Sequence, residues 1–262
     1  MRRAAWLLLG CALLAGCRTL LPAPEAPGGV PPDAQTLLDS LGRVAAERHG
    51  LRAQARMAVD GPGGSTRSSQ VLALEVPAKL RVEILGLLNQ AVAVLATDGE
   101  QFELFRAEDR SVRRGPVYSG LLWEVAKVDL SPEEATSVLL GAPRPAPGLR
   151  FSGSEPLPAG ATRLDFMDAL GAVRQRFDFD AAGHLAQVDR LGVGGRVQWE
   201  ARYQDVRPLA GQAFAYGLRL DFPDAGSRVA IEFKNVELNP VLPPETFVLR
   251  LPGLEPAPAQ AP

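Results

Sequence analysis

Few side chains in this sequence have the neighbours that chemistry requires. Cys17 is the exception: it ends the run Leu14-Ala15-Gly16-Cys17, behind Arg2, Arg3 and an apolar stretch from Ala4 to Leu14. A short apolar stretch with basic residues before it and small residues after it reads as a removable secretory signal. It is too short for a spanning helix, which needs roughly 20 apolar residues. Arg2-Arg3 lacks the surroundings of a twin-arginine signal, which favours the general secretory route. Elsewhere the candidates are isolated. His49 falls at a predicted helix end and His184 just past a turn, and neither has a base or metal ligand beside it in the pattern. Asp178 and Asp180 flank Phe179 but lack the further oxygen donors that calcium needs, and a strand-end turn explains them better. The glycines of Gly192 to Gly195 precede a strand rather than a helix, so they do not form a phosphate cradle. No serine or cysteine sits in a nucleophile motif. The pattern argues against an enzyme and calls for no cofactor or metal.

Cys17 closes a segment that resembles the lipobox of bacterial lipoproteins. The resemblance implies a diacylglyceryl group on its sulfur, a further acyl chain on the new amino terminus, and cleavage that removes residues 1–16. At about 0.8 kcal/mol per buried methylene, such chains anchor a protein firmly in a membrane. The sequence has 2 cysteines. Cys11 lies in the removed segment, so no thiol is left for a disulfide or a metal, and an oxidising compartment is tolerated. The formal net charge of −2, with no clustered basic run, excludes nucleic acid as a partner.

The elements that would position anything further follow from periodicity. Residues 17–32 form a Pro-, Ala- and Gly-rich tether able to extend about 3 Å per residue, and residues 252–262 form a similar Pro/Ala-rich, disordered tail. Between them, residues 33–251 make one domain. Asp33 caps a predicted helix that places Leu37, Leu38, Leu41, Val44 and Ala45 on one face up to Gly50. From Leu51 the period becomes two: Leu51 to Val59, Gln70 to Val76, Leu80 to Ile84, Gln90 to Ala96 and Gln101 to Arg106 read as antiparallel strands, with turns at Gly61-Pro62-Gly63-Gly64, Pro77-Ala78 and Asp98-Gly99. Leu121, Leu122 and Val125 predict a short helical stretch. Ser131-Pro132-Glu133-Glu134 is a capping box that opens a second helix, which stops at Gly141. After a Pro-rich connector come seven further strands: Leu149 to Gly153, Thr162 to Asp168, Val173 to Asp180, His184 to Leu191, Arg196 to Tyr203, Ala215 to Phe222 and Arg228 to Leu238. The class is α+β, mainly antiparallel β. A sheet of about 10 to 12 strands must curl, which predicts a half-open barrel closed by a few lid helices around a ligand-sized apolar interior.

Arg52 to Arg56, the run Lys79 to Gln90, the Asp98-Gly99 hairpin, the helical insert before Leu139-Leu140-Gly141-Ala142-Pro143, and the closing runs Val236 to Pro240 and Phe247 to Pro252 follow an order that resembles the LolA/LolB superfamily, in particular its LolB-like lipoprotein-accepting members. The resemblance implies an incomplete β-barrel whose cavity holds the acyl chains of lipids or lipoproteins. It also implies a soluble periplasmic LolA-like carrier as partner and a lipid-anchored place on the periplasmic side of the outer membrane. In that family a leucine within Pro-Leu-Gly on a projecting hairpin inserts into the membrane. Here Leu88 takes that place, while Leu87 and Asn89 depart from the flanking pattern; Asn89 still tolerates the left-handed geometry glycine allows. On physical grounds, Leu87-Leu88 is either an exposed wedge for membrane or partner, or a turn lying against the barrel wall. Phe102, Trp123, Phe151, Trp199, Phe222 and Phe233 either line the cavity or fill the core. The expected function is binding acyl chains and assisting their transfer into the outer membrane. The alternative is an envelope sensor or assembly lipoprotein using the same scaffold for a protein partner.

Overall fold

A computed structural model describes residues 33–249. Cys17, the signal, the tether and the tail therefore lie outside the described residues. Asp33 caps α1 (Ala34–Glu47) by accepting from the Thr36 N–H, as its sequence pattern predicts. The helix gives way directly to β1 (Gly50–Gly61), in which Leu51, Ala53, Ala55, Met57 and Val59 all turn inward. A meander follows: β2 (Gly64–Glu75), β3 (Lys79–Leu85), β4 (Ala91–Thr97), β5 (Gln101–Arg106) and β6 (Ser111–Pro116). The two helices α2 (Leu121–Ala126) and α3 (Pro132–Leu139) come next. A second meander then runs through β7 (Arg150–Pro156), β8 (Thr162–Met167), β9 (Val173–Phe179), β10 (Leu185–Leu191), β11 (Val197–Leu209), β12 (Gln212–Phe222) and β13 (Ser227–Leu238).

All 13 strands form one antiparallel sheet in the order β6-β5-β4-β3-β2-β1-β13-β12-β11-β10-β9-β8-β7. The β1–β13 pairing is the one contact between strands not adjacent in sequence; it joins the two meanders at the centre, opposite Met57 and Ile231. Strands β6 and β7 are the two free edges, so the sheet does not close on itself. Their polar sequences and terminal prolines, Pro116 and Pro156, suit edges that must not recruit another chain.

This topology explains where the helices go. The chain leaves the sheet at one edge, β6, and re-enters at the other, β7, so the segment between must cross a face. That segment carries Leu121, Leu122, Val138, Leu139 and Leu140, and it buries them on the concave side in one cluster with the inward residues of both meanders. At the usual yield of 1.5–3 kcal/mol for burying a large aliphatic side chain, this crossing is a main source of stability. The far side of β4 is covered separately: Leu249 packs there on Val94 and Ala96.

Two details depart from the sequence expectations. Strand β6 was not predicted, because Ser-Val-Arg-Arg-Gly-Pro shows no apolar alternation. The β11–β12 hairpin runs past Tyr203 to a turn at Ala210-Gly211, both at positive φ; most of its added residues are exposed, but Phe214 is buried in the core and Leu209 packs against it.

Candidate functional site

The concave interior is occupied by the lid. An apolar cavity of about 40 Å³ remains between α2, α3 and the sheet, lined by residues including Leu72, Leu80, Val82, Leu122, Val138 and Leu220. Ligand sites usually run to 300–1,000 Å³. The space beneath α2 and α3 is thus filled by the lid's own leucines, whereas a cleft of about 550 Å³ stays open beside α1, lined by residues including Leu37, Leu41, Arg48, Phe179 and Tyr203. None of the six aromatics nominated for the cavity lines either space. Phe102, Trp199, Phe222 and Phe233 are buried core residues, and Trp123 is half-buried with the Lys127 ammonium 5.4 Å over its ring. Phe151 is 39% exposed on edge strand β7, where no helix covers it, and meets Phe166 edge to face.

Polar contacts add to the apolar seating of the lid, and many of them come from a residue that no motif marks. Arg48 follows α1 directly and is only 4% exposed. Its Nη1 donates to the carbonyls of Leu140 at 3.0 Å and Gly141 at 3.2 Å, the C-terminal end of α3. Its Nε donates to Gln212 Oε1 at 3.0 Å, its Nη2 donates to the Ala213 carbonyl, and the guanidinium stacks 5.7 Å from the Phe214 ring. No carboxylate balances this cation among the described residues. Helix C-terminal carbonyls lack partners within the helix and carry partial negative charge, so a buried arginine satisfies them well. Burial lowers the Arg48 pKa from its ordinary value, but an arginine stays charged. Gly141 makes room for this contact: its φ is +61°, and a Cβ there would sit 3.0 Å from Arg48 Nη1. The available signal was spacing, since Arg48 continues the stripe of Leu41, Val44 and Ala45.

Further donors act alike. The Tyr203 hydroxyl donates to the Val138 carbonyl at 3.2 Å, and burial raises its pKa far above the ordinary phenol value. Ser227 Oγ donates to the carbonyl of Lys127 at the end of α2, 3.1 Å away. Arg144 Nη2 ties the connector to the Ala45 carbonyl of α1 at 2.6 Å. At the front of α3 the capping box is complete, with Ser131 Oγ accepting from the Glu134 N–H and Glu134 accepting from the Ser131 N–H.

The β3–β4 loop stands apart from all this. Leu87 and Leu88 are 104% and 88% exposed, so the turn does not lie against the barrel wall. Asn89 takes the left-handed conformation at φ 61°. The remaining sequence candidates have structural roles. Asp178 forms a two-point pair with Arg163, and Asp180 organises the β9–β10 turn, with His184 Nδ1 3.2 Å from its carboxylate. The His49 N–H donates to Asn239 Oδ1. Asp189 faces Glu200 across β10 and β11, with the Gln187 amide bridging them; burial raises both carboxyl pKa values. No group of three or more His, Cys, Asp or Glu gathers as a metal site among the described residues, and none of their helices is long and apolar enough to cross a membrane.

An open antiparallel sheet wrapped around crossing helices has close structural counterparts. The fold is LolA-like. A LolA superfamily protein from Nitrosomonas europaea superposes with a TM-score of 0.55 at 12% identity, over 82% of this chain and 97% of that one. A DUF1329 family protein from Desulfovibrio piger gives 0.58 at 14% identity, over 81% and 96%. A putative outer membrane lipoprotein-sorting protein domain from Vibrio parahaemolyticus gives 0.51 at 11% identity, over 81% and 94%. No family model matches the sequence, and no curated protein matches it. At these identities the likeness concerns the LolA-like fold alone.

Proposed function

We propose that this chain is a lipid-anchored protein on the periplasmic side of the outer membrane, and that it receives acyl chains of lipids or lipoproteins beneath its lid and assists their passage into the membrane. The observation that carries the reading is the lid itself. Its helices occupy the concave face as a plug, and a single buried cation ties the end of α3 to the β11–β12 hairpin. Releasing the Leu140 and Gly141 carbonyls from Arg48 loosens the end of α3, and where the helix lifts, the apolar wall of Leu72, Leu80, Val82 and Leu220 becomes a surface for acyl chains. Supporting this are the lipoprotein signal ending at Cys17, the LolA-like fold and the exposed Leu87-Leu88 tip, which suits a membrane-insertion loop. A soluble LolA-like carrier is the natural donor.

Native mass spectrometry of the full chain purified from a bacterial envelope tests the reading. The wild type is expected to carry a fraction of acyl-lipid mass, and Arg48→Met to carry more, since hydrogen bonds from a charged group contribute about 1.5–3 kcal/mol each to holding the lid closed. A bare protein mass for both would refute it.

A further inference from the structure

The outer face of the sheet carries a second feature, distinct from the lid. A groove of about 890 Å³ lies beneath the β3–β4 loop, lined by Arg56, Arg67 and Arg219 together with Leu85 and Leu87. Strand register builds it. Arg67 of β2 faces Ala58 of β1, which faces Ala230 of β13, which faces Arg219 of β12. Two alanines therefore separate two long cations by three strand spacings, about 14 Å. In the adjacent row, Arg56 stands between Ser69 and Glu232, and Gly217 lies beyond Glu232. The floor is small and the walls are cationic.

The charge count in the groove is uneven. Arg56, Arg67 and Arg219 make no ion pair or side-chain hydrogen bond with any described residue, unlike most arginines on this face. The two acids in the lining are already held from outside it: Glu232 by Lys234 at 2.6 Å, and Asp205 by Arg207 at 2.6 and 2.7 Å. Exposed arginines without ion-pair partners leave their donors free for an anion, and the planar guanidinium fork matches phosphate oxygens. Directly beside it stands an apolar tip with no protein cover, Leu87-Leu88.

We infer that this groove is a docking surface for the phosphate groups of anionic phospholipids at a bilayer surface, with Leu87 and Leu88 entering the lipid next to it. The inference rests on the membrane-facing reading above, and adds to it the lipid chemistry recognised and a face of the sheet unconnected with the lid. The test uses the full chain carrying Cys17→Ser, so that no acyl anchor contributes, and sedimentation with phosphatidylcholine vesicles with or without phosphatidylglycerol. Binding is expected only with phosphatidylglycerol. It should fall about 100-fold in the triple variant Arg56→Gln, Arg67→Gln, Arg219→Gln, the size expected for three cations near an anionic surface. Ala230→Glu, on the exposed floor, should cause a comparable loss without touching the core. A control triple, Arg52→Gln, Arg150→Gln, Arg196→Gln, removes the same charge elsewhere. Equal losses in both triples, or unchanged binding in the groove variants, would overturn the inference. Displacement from vesicles by millimolar inorganic phosphate would make the groove a soluble-anion site and overturn it too. Uptake of a fluorescent fatty acid, followed in parallel, separates the two readings. Uptake that persists while vesicle binding shows no dependence on the groove removes only the docking surface, whereas vesicle binding without uptake removes only the acyl-chain function.

Discussion

Leu139-Leu140 and Leu87-Leu88 are the same dipeptide in opposite situations. The first pair, at the end of α3, is 9% and 0% exposed; the second, in the β3–β4 loop, is 104% and 88% exposed. Composition does not separate them. The difference lies in how the chain leaves each element. After α3 the chain must still travel to the far edge of the sheet, so the leucines are carried across the concave face and pressed into it. After β3 the chain reverses within five residues and returns to the neighbouring strand, and the hairpin has nothing opposite it. The lid's leucines are also backed by polar anchors, Arg48 and Tyr203, which satisfy the carbonyls that packing would otherwise strand without partners. No such anchors surround the loop, where Gln90 Oε1 alone accepts from the Leu88 N–H. One pair is spent on holding the fold and the other is left over for something outside it.

Breaking the buried side should have the largest effect. Leu140→Ala is expected to cost about 2–5 kcal/mol in urea unfolding, through lost burial and the cavity left behind. A loss under 1 kcal/mol would mean that the lid end is not packed in solution. A milder probe of the same helix is Ser131→Ala, which removes one arm of the capping box. It should cost about 1 kcal/mol by the same measurement; an unchanged unfolding midpoint would show that seating on the sheet, rather than the cap, holds α3. On the exposed side, Leu88→Glu should leave stability within about 0.5 kcal/mol, as expected for a surface position, while weakening insertion into lipid vesicles measured by fluorescence. A large drop in stability would place Leu88 against another part of the molecule and erase the contrast.

Much of the architecture was legible because the inward residues of most strands alternate cleanly. In β1, five apolar residues at period two identified both the strand and its buried face. The capping box at Ser131 and the turn at Asp98-Gly99 were readable because local hydrogen bonding fixes them. Strand β6 was not readable, since an edge strand with one bonded side that offers only Val112 to packing has no apolar alternation to show. The cavity was misjudged for a related reason: an aromatic at an inward position looks the same whether it borders empty space or another side chain. Phe151 was misplaced because its strand turned out to be the outermost, a fact of sheet order rather than of local pattern. Arg48 escaped notice because a cation on an apolar stripe reads as an exposed helix end until the carbonyls it must satisfy are brought to it.

The amino-acid sequence by itself determined where most strands begin and turn, which face of each is apolar, and that a capped helix interrupts the strands midway. These are short-range matters of side-chain period, backbone conformation and capping. Tertiary structure alone decided that the interrupting helices plug the sheet, that Arg48 is the cation securing them, and that three arginines from three strands share one groove. Each of those outcomes depends on strand order and register, which bring together residues far apart in the chain, and no local pattern encodes that.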